Sequence, residues 1–324
     1  MKNFESFLAP QLNEYLLYRK SIGYNIRSTR SHLLIFDQYL RRTNADFDSL
    51  KPFFFLEMRV NIDMEPRSLN RMISTVRVFF QFLVRREYVD QNPLRDIPFL
   101  KENSIIPFVF SCEQTDQLLE ALCKGLRKKE PFFLTDLAQY LVVLLMARCG
   151  MRISEPLKLM RQHYSREDAT LYIERTKFKK HRLIPIPKSV TTEIENYLAV
   201  RESMCPHDQN LYLLLGKNHN PIRADRIRFF FHKAVKEIGL DQPRRIIGHV
   251  NFSQPTPHSL RHSFAVNTLM KIKERGQCPQ HALPVLVAYM GHAAYKYTSV
   301  YLRVMDAMSR KNLVDFSLWH KRKE

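Results

Sequence analysis

Apolar residues in the first hundred positions recur at steps of three and four, the spacing that lines one face of a helix. Phe4, Phe7, Leu8, Leu12, Tyr15 and Leu16 form the first such stripe, and Gly23 follows where a helix end often needs a left-handed residue. Leu33, Phe36, Tyr39 and Leu40 predict a second helix over 30–42. Leu69, Met72, Ile73, Val76, Phe79, Phe80 and Leu83 predict a third that ends before Asn92-Pro93, and residues 53–55 seed a short helix or plug the core. Residues 97–110 hold Pro98 and Pro107 and show no helical period, so the expected layout is a helical domain over 1–100, a linker over 101–110 and a second domain over 111–324. Ser111 with Gln114 three positions later predicts a capping box ahead of Leu118, Leu119 and Leu122, and an apolar helix over 136–148 is closed by Gly150. At 171–187 the period changes. Leu171 and Ile173, then Leu183, Ile184 and Ile186, predict a β-hairpin whose turn holds Lys177 to His181. Helices over 190–200, 224–238, 259–272 and 282–290 complete a mainly α chain with a small β-sheet or hairpin, and no internal repeat is present.

Charge changes this picture more than composition does. With 324 residues and 45% hydrophobic content the chain can build two ordinary cores, but 51 Lys and Arg against 32 Asp and Glu leave a net charge of +19. The first hundred residues carry +4 of it and the remainder +15. Such an excess favours a polyanion, because each phosphate neutralised releases condensed counterions; the plain alternative is a soluble protein that happens to be basic. Cys112, Cys123, Cys149, Cys205 and Cys278 form no CxxC pair, so neither a zinc signature nor a disulfide framework is expected and a reducing cytosol fits. Residues 1–9 include Glu5 and lack the sustained apolar core of a signal peptide. The longest apolar run, Leu141 to Ala147, is short of the roughly 18 residues a membrane span needs.

Basic and titratable residues gather in four clusters after residue 148. They suit the breaking of a phosphodiester, which needs an ionisable nucleophile, fixed cations for the non-bridging oxygens and a proton for the leaving alkoxide. Arginine grips two oxygens at once and never loses its charge, while histidine and lysine move protons. The clusters are Arg152 after Gly150, expected to open the next helix; Lys177, Lys179 and Lys180 in the hairpin turn; His258 and Arg261, three apart on one helical face; and Gly291-His292, with Tyr301 nine residues on. Taken singly, each also fits a solvated cap, a basic surface turn or ordinary packing.

Taken in order, they resemble the tyrosine recombinase or phage integrase family. Residues 150–155 (GMRISE), 174–187 (ERTKFKKHRLIPIP), 257–269 (PHSLRHSFAVNTL) and 289–304 (YMGHAAYKYTSVYLRV) match its four boxes, and 76–94 is similar, more loosely, to the end of its helical domain. The resemblance implies an all-helical, SAM-like core-binding domain, a mixed α+β catalytic domain, and a site-specific recombinase that breaks and rejoins DNA through a 3′-phosphotyrosyl bond. In it Tyr301 is the nucleophile, Arg152 and Arg261 clamp the phosphate, Lys177 protonates the leaving 5′ oxygen, His258 assists proton transfer at Tyr301 and His292 hydrogen-bonds the phosphate. Glu155 partners the arginines. Neither metal nor nucleotide is implied. The partners implied are duplex DNA carrying recombination sites, three further copies of the chain in a tetramer, and an accessory recombinase or DNA-bending protein.

Some features depart from the family pattern. Phe178 stands where a glycine is common, leaving Lys179 and Lys180 as rivals to Lys177, and residues 270–284 form a longer spacer, read as a longer loop or a partner contact. The apolar tail with Leu313, Val314, Phe316, Leu318 and Trp319 is expected to pack into a neighbouring copy. A type IB topoisomerase shares the same residue set, and a DNA-binding protein without chemistry is the alternative of a different class.

Overall fold

The computed structural model describes residues 3–130, 132–174, 181–206, 208–216, 218, 220–292, 294, 295 and 297–306. The chain forms two compact units that divide between Ser104 and Ile105.

Helices α1 (Ala9–Ser21), α2 (Arg27–Arg42), α3 (Pro52–Asn61) and α4 (Pro66–Arg85) make up the first unit. α3 and α4 start on a proline and α1 carries Pro10 at its second position, where the missing N–H has no partner to lose in a first turn. The stripes read from the sequence face inward: Leu33, Phe36, Tyr39 and Leu40 of α2 are buried against Met72, Ile73, Val76, Phe79 and Phe80 of α4. Aromatic edges meet aromatic faces here, with Phe55 and Phe80 centred 5.3 Å apart and nearly perpendicular. The buried Asp37 carboxylate accepts the backbone N–H groups of Glu5 and Ser6 at 3.0 Å, fastening the N-terminal segment to α2.

The second unit is built around α6 (Phe133–Cys149), which packs on α5 (Cys112–Lys124), α7 (Lys188–Met204), α8 (Ala224–Glu237) and α9 (Pro257–Glu274). Its apolar residues surround the whole helix, as full burial requires. α5 opens with the capping box, Gln114 N–H donating to Ser111 Oγ and Ser111 N–H to Gln114 Oε1. α10 (Pro279–Met290) and a helical run over 297–306 lie against α9, sharing a core of Ala265, Val266, Leu269, Leu283, Leu286, Met290, Tyr301 and Met305. The predicted hairpin is β3 (Thr170–Ile173) and β4 (Arg182–Pro185), paired Thr170 with Pro185 and Ile173 with Arg182, with β2 (Tyr164–Ser165) added on the β3 side. None of the described helices is long and apolar enough to cross a membrane.

Three expectations are corrected. Residues 101–110 are not all connector: β1 (Ser104–Ile106) joins β5 (Arg245–Ile247) and β6 (Val250–Phe252) in a second sheet of order β1-β6-β5, and Phe110 is fully buried, its N–H bonded to Ser263 Oγ at 2.8 Å. Residues 270–284 are not a long loop, because α9 continues to Glu274, Gly276 turns the chain at φ +74°, and Pro279 starts α10. Arg152 does not open an α-helix. It sits in a turn, and Pro156, which cannot donate to an α-helical ladder, begins only a short 3-10 segment over Pro156–Lys158.

Candidate active site

The site forms where α6 and α10 end. α6 stops at Gly150, held at φ +57°, and a Cβ there would lie 2.4 Å from the Phe264 ring, so both backbone and packing demand glycine. α10 stops the same way at Gly291, φ +62°. The last carbonyls of a helix lack partners and carry the negative end of its dipole, so cations collect there. Three arginines do so at α10. Arg182 Nε donates to Tyr289 O at 2.8 Å, Arg261 Nη2 to Met290 O at 2.5 Å, and Arg152 Nη2 to Gly291 O at 3.1 Å. Arg152 Nη1 also reaches Met290 O at 3.5 Å, and Arg261 Nη1 donates to Gly150 O at 2.6 Å, tying the two helix ends together.

Glu155 lies beneath this group. Its carboxylate accepts the Arg152 backbone N–H and Nη1 at 2.8 and 2.9 Å, and Arg182 Nη1 and Nη2 at 3.1 and 2.8 Å. Burial alone would raise its pKa. The Arg182 hydrogen bonds and charge, the Arg152 backbone N–H and the Arg261 charge outweigh burial and hold the carboxyl below its ordinary value. Three guanidiniums against one carboxylate leave two positive charges in excess, enough to hold one phosphodiester with charge to spare for a more anionic transition state.

Tyr301 faces this centre from the run 297–306 and is 3% exposed. Burial raises its phenol pKa above 10, and the Arg261 and Arg152 charges offset only part of the rise. Its hydroxyl lies 3.1 Å from Nδ1 of His262, with the rings centred 5.6 Å apart. His262 is held down to about 3, first by burial and then by the nearby His258, Arg261 and His292, so its ring is neutral at physiological pH. His292 follows Gly291; its Nδ1 is 2.6 Å from Oγ1 of the fully buried Thr298, and burial followed by the Arg261 and Arg152 charges lowers it also to about 3. His258 opens α9 with an accessible ring 4.6 Å from that of His262 and edge-on to it, and its pKa is lowered by the crowding of protein around it and then by Arg261 and Arg152.

Of the six residues singled out in the sequence, Arg152, Arg261, His258, His292 and Tyr301 meet here; Lys177, with Phe178, Lys179 and Lys180, lies outside the described residues. The ring bonded to the Tyr301 hydroxyl is that of His262, not His258. Sequence reasoning passed over His262 and Arg182. The signal for His262 was present, since a residue four positions from His258 shares its helical face. Arg182 had none, because nothing in a hairpin strand announces a reach to a helix end 107 positions away. Among the described residues no three His, Cys, Asp or Glu are grouped as a metal site would need.

Comparison with known proteins agrees with this arrangement. Residues 109–308 match the phage integrase family, and residues 11–87 match the phage integrase N-terminal SAM-like domain. The chain is 28% identical over 235 residues to the tyrosine recombinase XerC of Alcanivorax borkumensis, covering 72% of this chain and 68% of that protein. It is 26% identical over 314 residues to the tyrosine recombinase XerA of Pyrococcus furiosus, covering 94% of each. A crystal structure of a lambda integrase dimer bound to a COC′ core site shares the fold, with a TM-score of 0.65 and 16% identity over 92% of this chain and 77% of that one. The matched domains and the arginine-lined site beside a buried tyrosine agree: the chain belongs to the phage integrase family of tyrosine-type, site-specific DNA recombinases.

Proposed function

We propose that Tyr301 is the nucleophile of this recombinase, attacking a DNA phosphodiester to form a 3′-phosphotyrosyl bond and release a 5′ hydroxyl. One observation carries the reading. Arg152 and Arg261, 109 positions apart, converge on the Met290 carbonyl beside the tyrosine. In this reading the two guanidiniums hold the non-bridging oxygens and offset the charge that builds on them. Arg152, with its side chain 20% exposed, meets the phosphate first. His292, oriented by Thr298, donates to the same phosphate. Lys177 gives the departing 5′ oxygen its proton, and His258, with its ring against that of His262, assists proton transfer at Tyr301. Rejoining reverses the attack, so the energy of the broken bond is kept and no nucleotide is consumed.

The wider role follows from the family. The chain acts on duplex DNA carrying specific sites, as a tetramer whose subunits cleave in alternation, in integration, transposition or resolution of a mobile element in the bacterial-type cytoplasm. The lambda integrase dimer on its core site supports assembly on DNA. An accessory recombinase or bending protein completes some such reactions.

The test uses a library of nicked duplexes with randomised cores, in which loss of the short strand traps the covalent product. The expected result is a denaturation-resistant protein–DNA adduct with the natural chain and none with Tyr301→Phe. An adduct with the Phe variant would assign the nucleophile elsewhere, and supercoil relaxation without site preference or synapsis would favour the topoisomerase reading.

A further inference from the structure

The reaction needs a group that takes the phenol proton, and the buried Tyr301 makes that need acute. Its pKa lies above that of free tyrosine, so spontaneous ionisation near pH 7 is rarer than about one molecule in a thousand. The Arg152 and Arg261 guanidiniums carry no lone pair to accept a proton. Glu155 is taken up by four donors from Arg152 and Arg182. His292 Nδ1 is bonded to Thr298, and its ring centre is 6.2 Å from that of Tyr301. Among the described residues the ring nitrogen at hydrogen-bonding distance from the phenol oxygen is Nδ1 of His262 at 3.1 Å, and the His258 ring packs against His262.

We propose that His262 is a catalytic residue of the strand-cleavage reaction, accepting the Tyr301 proton on Nδ1 as the phenol oxygen attacks phosphorus. The inference rests on Tyr301 being the nucleophile. In the resting site the imidazole is neutral with its proton on Nε2, and the phenol O–H donates to Nδ1. As the Tyr301 Oη–P bond forms, the phenol proton moves to Nδ1 and His262 becomes an imidazolium. The P–O5′ bond breaks and the 5′ oxygen takes its proton from the separate acid. Rejoining runs the same transfers backwards, the imidazolium returning its proton to Tyr301.

The groups around His262 explain why it waits unprotonated. His258 and Arg261 face it from its own helix, His292 from the end of α10, and Tyr301 from the run 297–306. All are neutral or positive in the free enzyme, so a proton on His262 is opposed. A phosphate held by Arg152 and Arg261 brings in negative charge, and that charge stabilises the imidazolium only while a substrate is in place. The arrangement couples the basicity of His262 to occupancy of the site.

The experiment measures single-turnover adduct formation on the nicked duplex recovered by covalent capture, using the full chain and its His262→Ala and His262→Asn variants. DNA binding and thermal melting are followed in parallel. The Asn amide can keep the contact to the phenol but cannot take its proton. Both variants are expected to bind DNA as the natural chain does and to form adduct roughly 100-fold more slowly or worse, the size of a lost general base. Added imidazole is expected to restore at least tenfold of the rate to the Ala variant, and more so as pH rises through the pKa of free imidazole. Near-normal cleavage by either variant, or failure of imidazole to rescue an Ala variant that binds and melts normally, would overturn the proposal. If the Ala variant does not fold, the Asn variant alone decides: a normal rate reduces His262 to a positioning residue. Failure of the natural chain to form any adduct through Tyr301 would instead remove the reading beneath the inference, and the Tyr301→Phe control separates the two cases.

Discussion

The Met290 carbonyl accepts from two arginines at once, so each guanidinium is held by contacts that the other also depends on. Arg261→Ala is expected to abolish adduct formation while leaving DNA affinity within a few-fold, because affinity is spread over many backbone contacts; a comparable loss of binding would show that Arg261 acts through the fold. Glu155 is only 6% exposed and faces three cations. Its replacement by Ala leaves buried guanidiniums uncompensated and is expected to cost about 3–5 kcal/mol, read as a fall in melting temperature of several degrees or more. The histidines give a pH signature. His262 and His292 stay neutral in the folded chain down to about pH 3, whereas the unfolded chain takes up protons below about 6.5. The unfolded state then binds more protons, so stability is full above about 6.5 and declines as pH falls towards 3. His262→Asn and His292→Asn should each flatten the melting-temperature profile in that window; unchanged profiles would contradict the burial assigned to these rings. At this scale much was legible. Arg152, Arg261, His292 and Tyr301 stand in a recognisable order, but His258 and His262 lie one turn apart on the same face of α9, and spacing alone does not choose between them.

Helix ends, more than helix faces, place the chemistry. Gly150 and Gly291 stop α6 and α10 in left-handed conformations and turn their carbonyls towards the arginines. Gly150→Ala combines about 1–2 kcal/mol of backbone strain with a clash against Phe264, and calorimetry should show the catalytic unit melting several degrees lower. Gly291→Ala would push on the Arg182 guanidinium, 2.9 Å from the added carbon, and so on its bonds to Glu155 and Tyr289. Its expected effect is on cleavage more than on stability, and a variant that cleaves at the normal rate would detach Arg182 from the site. The helices were readable from their stripes: the apolar face of α4 runs from Leu69 to Leu83, about four turns, and that of α2 from Leu33 to Leu40, about two. β1, β5 and β6 are three residues each, too short to hold a period, and their pairing brings position 106 beside 253, which no local pattern encodes. The structure departs from the sequence expectation at residues 101–110 and 270–284 for a related reason. Prolines and glycines mark where a chain turns, but a turn can lie inside a packed unit as well as between units.

The charge of the whole chain sets how it meets its substrate. With +15 of the +19 in residues 101–324, DNA affinity should fall by orders of magnitude between about 50 and 200 mM salt, and a flat salt dependence would mean that phosphate contacts do not dominate binding. Composition made the polyanion partner legible and the ordered boxes made the chemistry legible, whereas assembly on DNA involves surfaces of other copies, and the tail at 312–324 lies outside the described residues. The account stands on one bond, from the phenol oxygen of a buried tyrosine to DNA. Tyr295 and Tyr297 lie within six positions of Tyr301 and are half-exposed, so they are chemically easier targets for an accidental linkage. Proteolysis of the captured adduct and mass mapping of the nucleotide-bearing side chain decides among them. The account predicts a 3′-phosphonucleotide on Tyr301 alone; a nucleotide on Tyr295, Tyr297 or any other residue would contradict it.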